Sequence, residues 1–199
     1  MTEPKNSGEY FDTCFNKQEL SYQHYSDVVF ERCEFINCDF TSTVFSQCKF
    51  LNCQFDACNL SLMDVPGSRF SVVEFTGCKL VGIDWTKGYW PAFDFYSQLS
   101  FKDCILDSCN FFALKLHESH FEACRIHDAD FRNAELCKSF IQDCDLSNSL
   151  FMHTNLENTN LAGSHSFNID IRQNKVTNAT FSRIEALDLL RGLDIHLVD

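Results

Sequence analysis

The chain is predicted to be an all-β solenoid, a single rod whose backbone turns a corner every five residues. Three observations predict it. A large apolar residue recurs at five-residue intervals, a small residue sits two positions before most of them, and Gly and Pro together number only ten of 199 residues. Period five fits neither the 3.6 of a helix nor the 2 of a strand, and a conventional sheet protein needs more turn residues than this.

The large-residue series starts at Tyr10, Phe15, Leu20, Tyr25 and Phe30 and runs unbroken to Phe95. It resumes one residue out of step at Phe101 and continues to Phe181, with Ser166 the exception, so that 34 of 35 positions are large and apolar. The small site is occupied by residues such as Cys33, Cys38, Thr43, Ser68, Ala129 and Thr154. Both positions are expected to point inward, and the other three to solvent. Such a repeat settles the architecture before any local propensity does. Residues 1–9 read as a flexible N-terminus and 10–181 as the solenoid, with a register shift between 95 and 101. Residues 182–199 read as a C-terminal helix and strand. Around the shift the small sites become large or absent (Met63, Ile83, Gly88, Phe93, Leu99), which with Trp85 and Trp90-Pro91 predicts a bulge.

A stack of coils needs caps, because its end exposes an apolar cross-section and open strand edges. Ser182 to Glu185 has the form of a capping box, followed by a short helix over Ala186 to Arg191 that ends at Gly192. Leu187, Leu190, Leu193, Ile195 and Leu197, with Val198, are too apolar for a solvated tail. They are predicted to cap the last coil and to form a homodimer interface.

Twelve cysteines invite a zinc or disulfide reading. Ten of them (33, 38, 48, 53, 58, 78, 104, 109, 124, 144) fall on the small inward site, where free Cys packs as a small hydrophobe. Five-residue spacing carries successive thiols round corners rather than round one metal. Cys14 and Cys137 should face outward. His117, Cys137 and Glu157 recur at intervals of 20 and carry nucleophile, base and orienter chemistry. On a flat outer face such a column has no oxyanion hole and no water-excluding pocket. No phosphate loop or hydrolase motif is present, and neither an enzyme nor a metal or cofactor is expected.

The net charge of −12 disfavours direct binding to nucleic acid or an anionic membrane and suits a basic protein surface. The first residues have neither a basic nor an apolar leader segment, and no run is long enough to span a membrane. A cytoplasmic protein with reduced thiols is the expectation. If the shift after Phe95 adds one residue without changing face, the side centred on Tyr25 collects Asp27, Asp64, Asp84, Asp107, Asp128 and Asp145 against Lys87 and Arg125. The opposite side, centred on Phe35, collects Glu34, Asp56, Glu74 and Asp94. These ten acids are the candidate partner-binding residues. The side centred on Phe30 collects Arg32, Lys49, Arg69, Arg132 and Arg172.

Runs such as CEFIN at 33–37, CDFTS at 38–42, ADFRN at 129–133 and TNLEN at 154–158 match the consensus Ala-(Asp/Asn)-Leu-x-x. The chain thus resembles the pentapeptide-repeat family. The resemblance implies a right-handed quadrilateral β-helix with about 20 residues per coil, about eight coils and a rod of roughly 40 Å at strand spacing. Four longer stretches are similar to the gyrase-interacting Qnr/MfpA/AlbG group, most of all to its albicidin-resistance branch. They are CNLSL at 58–62, WPAFDFYSQLSFKDCIL at 90–106, CRIHDADF at 124–131 and the tail from Phe181. That group implies dimeric rods resembling duplex DNA, which bind DNA gyrase and sometimes topoisomerase IV, inhibit it or protect it from poisons, and so give antibiotic or toxin resistance. A register without long loop insertions departs from the quinolone-resistance pattern. It points to gyrase inhibition or to protection from another toxin such as albicidin. The alternative within the family is an interaction scaffold with an unrelated protein partner.

Overall fold

The fold follows from a backbone that must turn every five residues with almost no glycine to do so. The turning residue, two beyond each large one, adopts the left-handed conformation, with φ from +49° at Asp12 to +77° at Gly163. Asn and Asp tolerate that region through local side-chain hydrogen bonds, and Gly does so without strain. Corners at Asn37, Asn52, Asp103, Asp128, Asn133 and Gly77 fit this chemistry. The corner at Val72, a β-branched residue at φ +54°, does not.

In the computed structural model, which describes residues 3–91, 99–193 and 195, short parallel strands stack into a four-sided solenoid of about eight turns. Strand pairing puts Phe15 in register with Phe35, Phe55 and Phe75, and Tyr10 with Phe30, Phe50 and Phe70, so a regular coil holds 20 residues. Four faces result. Face I is centred on Tyr10, Phe30 and their successors, face II on Phe15 and Phe35, face III on Leu20 and Phe40, and face IV on Tyr25 and Phe45. Face II is the most regular, a nine-stranded parallel sheet that runs from Cys14–Asn16 to Thr180–Phe181.

The interior is a set of side-chain columns. On face II, Phe15, Phe35, Phe55, Phe75, Phe101 and Phe121 stack in near-parallel order with centroids 4.5–5.1 Å apart. Neighbouring columns meet edge-on, as Phe30 and Phe35 do at 76°. Both arrangements suit the aromatic quadrupole, and each ring contributes a large apolar burial.

The small inward residue does more than fit. Cys38 donates its S–H to the Phe15 carbonyl in the previous coil (3.3 Å) and its own N–H to Cys58 Sγ in the next (3.3 Å). Cys58 repeats this with the Phe35 carbonyl and Cys78 Sγ. Hydroxyls substitute freely. Ser68 Oγ donates to the Phe45 carbonyl and accepts the Cys48 N–H, both at 2.8 Å, and Thr43 donates to Leu20 at 2.6 Å. A buried N–H without a partner carries a full desolvation penalty, so a small side chain with a polar γ atom is favoured at this site. All ten predicted inward cysteines are buried and free, while Cys14 is exposed and Cys137 half-buried.

The second recurring polar residue, just before each large one, closes the turn. Asp39 Oδ1 accepts the N–H (2.8 Å) and hydroxyl (2.6 Å) of Thr41. Asn59 and Ser61, Asp84 and Thr86, Asp130 and Arg132, and Asp145 and Ser147 repeat the arrangement. This is an Asx-type turn, and it is the physical basis of the Asp/Asn preference at that repeat position.

Two registers differ from the sequence reading. Phe75 pairs with Phe101, Lys79 with Ile105 and Asp84 with Asn110. This coil therefore has 26 residues, and six rather than one are added between Trp90 and Phe101. The Phe75–Phe101 stack spans the insertion at 5.1 Å, and Trp90 anchors its start, with Nε1 donating to the Trp85 carbonyl at 2.7 Å. The predicted irregularity is present as a 3₁₀ turn at Trp85–Lys87, with Met63, Ile83 and Leu99 buried. Phe93, Asp94 and Phe95 lie outside the described residues. Near the C-terminus Phe151 pairs with Ile169, only 18 residues on, and Phe167 and Ile169 are buried where Ser166 and Ile171 were expected. Ile171 is half-buried, and Asn174 restores the spacing by accepting the Thr154 N–H.

The terminal segment Glu185–Leu193 is a 3₁₀ helix against the Asn168–Ile169 strand, with Leu189 packed on the core. It runs one residue past the predicted end at Gly192. Ser182 does not serve the predicted capping box here. Its hydroxyl accepts the Gly163 N–H at 2.8 Å.

The inward ladder predicts that Cys58→Ser retains stability, whereas Cys58→Val, without an acceptor, loses about 1–3 kcal/mol, measured by thermal or denaturant unfolding. The C-terminal register predicts that Ile169→Ala costs about 2–5 kcal/mol and Ile171→Ala well under half of that, a contrast the original five-residue spacing would reverse.

Candidate protein-binding surface

The 26-residue coil moves every residue after Trp90 round by one face relative to the sequence reading, and this regroups the candidate acids. Asp27, Asp64 and Asp84 do share face IV, but Asp107, Asp128 and Asp145 lie on face III with Asp39. The predicted single stripe of six acids is therefore two half-stripes on adjacent faces. Arg132 and Arg172 likewise belong to face IV, while Lys115 and Lys138 join face I. Glu34, Asp56 and Glu74 sit together on face II as expected. The same face continues through Asp103, Glu122 and Asp143, acids that the sequence reading missed because of the face shift.

With the faces sorted this way, acids exceed bases on three faces: faces II and III by three each, and face IV by two, with Asp27, Asp64, Asp84, Asp130 and Asp170 against Lys87, Arg132 and Arg172. Face II has six acids against Lys17, Lys102 and Arg183. Face III has Glu19, Asp39, Asp107, Asp128 and Asp145 against Lys79 and Arg125. Face I is balanced, with six of each sign.

The ten candidate acids are not equivalent. Asp84 and Asp145 are committed to Asx turns with Thr86 and Ser147. Asp64 pairs with Lys87 at 2.9 Å, and Asp107 pairs with Arg125. Asp27 and Asp128 are exposed left-handed corners. Glu34, Asp56 and Glu74 are exposed, on consecutive coils, and among the described residues none of the three has an ion pair. These three are free to meet a basic surface.

Charge is held firmly where turns and pairs cooperate. Burial alone would raise the Asp145 carboxyl, but hydrogen bonds from Ser147 and His127 outweigh it and hold the group down at about 2. At Asp170 the Arg172 side chain is the main cause of a similar depression to about 2.

The His117–Cys137–Glu157 column is stacked as expected, with Cys137 Sγ 2.8 Å from His117 Nδ1. Burial is the first reason that the Cys137 thiol is pushed up, and nearby Glu135 adds to it. A thiol moved in that direction is not an activated nucleophile. Among the described residues no group of three or more His, Cys, Asp or Glu is arranged to hold a metal.

At the C-terminal end, Leu187, Leu193 and Ile195 of the predicted interface are exposed, Leu190 is half-buried, and Leu197 lies outside the described residues. Ile184, which the sequence reading left out, is the most exposed of the group at 77%. No helix among the described residues is long and apolar enough to cross a membrane.

The rod presents four long faces, and the acids described above lie along them. Residues 28–97 match the family described as pentapeptide repeat region, and residues 129–165 match pentapeptide repeats (8 copies). The chain belongs to the pentapeptide-repeat family. No curated protein matches it in sequence. Among solved structures it is similar to a trypsin-treated form of QnrB1, a plasmid-mediated fluoroquinolone resistance protein, with a TM-score of 0.67 and 19% identity over 98% of this chain and 93% of that one. Full-length QnrB1 gives a TM-score of 0.62 and 18% identity over 94% of this chain and 100% of the other. At this identity the likeness is one of fold.

Because the Asp145 pKa is depressed, its contribution to stability is complete above the unfolded value of about 4 and disappears as pH falls towards about 2. Asp145→Asn should lower stability at pH 7 by at most about 1 kcal/mol, given its solvent screening, and have little effect near pH 2. Unfolding at the two pH values checks this.

Proposed function

We propose that this protein is a DNA mimic that binds DNA gyrase, and topoisomerase IV where present, through its acidic faces. Binding protects the enzyme from topoisomerase poisons or inhibits it directly, and the outcome is antibiotic or toxin resistance. The observation that carries the reading is the row of exposed acids Glu34, Asp56 and Glu74 on consecutive coils, free of ion pairs among the described residues and bordering a second acidic face. Strand spacing sets these coils ~4.8 Å apart. Duplex DNA carries one charge per about 1.7 Å, so a rod of roughly 40 Å would need about 24 charges to equal it. The chain has a net −12, half that density, and mimicry requires charge to be concentrated by face, as on the adjoining faces II and III, each with three more acids than bases.

The fold shared with QnrB1 supports the resistance reading, and the segments similar to AlbG support albicidin as one agent countered. The six-residue insertion after Trp90 removes the sequence-level reason for setting quinolones aside, since the register does admit a loop there. The apolar residues Ile184, Leu187, Leu190, Leu193 and Ile195 would join two rods end to end, doubling their length to roughly 80 Å on the same spacing. The partner class implies a cytoplasmic site of action. The second reading, a scaffold for an unrelated protein, is favoured by one feature. Leu150 and Met152 are exposed apolar residues side by side on face IV, which a DNA mimic does not require, and Phe112 is exposed two coils away beyond the Asp130–Arg132 pair.

Gyrase supercoiling, with and without a fluoroquinolone or albicidin, tests the proposal. Micromolar protein should inhibit the reaction or rescue it from the drug, and the effect should weaken steeply with added salt. Glu34→Lys, Asp56→Lys and Glu74→Lys combined should weaken it by about tenfold or more, while the same reversals at Asp12 and Glu9 on face I should not. No effect of the unmodified protein on gyrase would sink the proposal, and recovery of a different stoichiometric partner by pulldown would favour the scaffold.

A further inference from the structure

Face III carries a ladder that the charge count alone does not reveal. Across successive coils, Arg125 pairs with Asp107, whose Oδ1 also accepts the His127 N–H at 3.3 Å. The His127 ring Nε2 lies 2.7 Å from Asp145 Oδ2. His165 Nδ1 approaches the other oxygen of the same carboxylate at 3.8 Å and lies 3.1 Å from Ser166 Oγ. One carboxylate is thus held between two imidazoles, on a face whose C-terminal half has Asp107, Asp128 and Asp145 as its acids and Arg125 as its base.

From the geometry we infer that His127 and His165 form a proton-operated switch on the acidic surface, so that mild acidification releases a basic partner from face III. The inference rests on the reading that faces II and III meet a basic surface, and adds the regulation of that contact. Asp145 stays ionised throughout the relevant range, held at about 2, so only the imidazoles change charge there. Imidazoles titrate between pH 5 and 8. With both neutral, the half-face is net negative by two, and with both protonated it is neutral.

Around His127 stand Asp107 and Asp145 as anions, Arg125 as a cation and Asp128 at the next corner. Around His165 stand Asp145 and, across the groove that it lines with Ser147, Asn148 and Asn168, the helix carboxylates Glu185 and Asp188. The anions allow the protonated state to form without a buried, unpaired charge. Both rings are partly exposed, at 31% and 49%, so protons and a partner surface both have access.

Two measurements on the full chain test this separately from gyrase. First, NMR of the free protein should show both imidazoles titrating between pH 5 and 8, and a ring fixed in one protonation state across that range would overturn the inference. Second, retention on immobilised poly-lysine should fall about fivefold from pH 7.5 to 5.5 for the native chain, and less than about twofold for His127→Gln with His165→Gln. Equal loss in the two proteins would also overturn it, because the remaining histidines would then account for the effect. If poly-lysine shows the expected contrast but gyrase is not bound at any pH, the switch stands and the gyrase reading fails.

Discussion

The rod depends on one constraint, the parallel backbone ladder that ties each residue to the one a coil away. Once Phe35 lies between Phe15 and Phe55, every side chain in the coil has an assigned neighbour. A ring must stack on a ring, and a thiol must lie where a carbonyl 23 residues earlier can accept it. The ladder also explains the cysteine content without invoking sulfur chemistry. At Thr43, Ser119 and Ser139 the N–H of the small inward site bonds the carbonyl three residues back, whereas at sites such as Cys38, Cys58 and Ala129 it reaches the side chain of the next coil. A γ sulfur or oxygen that accepts this N–H and donates to the previous coil satisfies both ends. Thiols and hydroxyls interchange along the chain because either satisfies both ends.

The same ladder divides the acids into two populations. Carboxylates just before a large residue, such as Asp39, Asp84 and Asp145, hold the turn, and their charge accompanies a structural role. Of those in other slots, Asp107, Asp12 and Glu122 are ion-paired, whereas Asp56, and Glu34 and Glu74 in the turn slot without an Asx turn, leave their charge for the surface. A net charge of −12 therefore overstates what a partner meets. The slot explains why Asp is common where the fold needs a short side chain reaching its own backbone. The freer pair at that slot on face II are glutamates, whose extra methylene suits them to solvent.

A period of five fixes the phase of a residue within its repeat, and that much was legible. It identified the inward positions, the ten buried cysteines, the stacked His117–Cys137 pair and the location of the irregular coil. The face is a property of a 20-residue coil, and a five-residue pattern is blind to it. One inserted residue and six leave the same phase, and Phe95 satisfied the pattern although the next residue of the stack is Phe101. An error of one repeat then moves Asp107, Asp128 and Asp145 from face IV to face III. The slip near Ser166 is hidden for the opposite reason. Phe167 and Ile169 are out of phase by one and two residues, and only strand pairing shows that they fill the column. Ile184 was missed because it was read only as an interior position of the Ser182–Glu185 capping box.

The insertion enters after Trp90 on face I and returns at Phe101 on face II, beside the acidic row and next to a face of balanced charge. A solenoid can take six extra residues only where both flanking columns hold without them. Trp90 does this on one side, stacked on Phe70 and hydrogen-bonded to the Trp85 carbonyl, and the Phe75–Phe101 stack does it on the other. Loop closure of this length adds little entropy cost beyond that of an ordinary corner, so the aromatic columns and not the loop determine whether the rod survives. The six added residues therefore fall at the border of the face most suited to a basic partner. A rigid rod supplies the spacing of charge, and its columns hold that spacing across both departures from the period, at Phe75–Phe101 and at Phe151–Ile169.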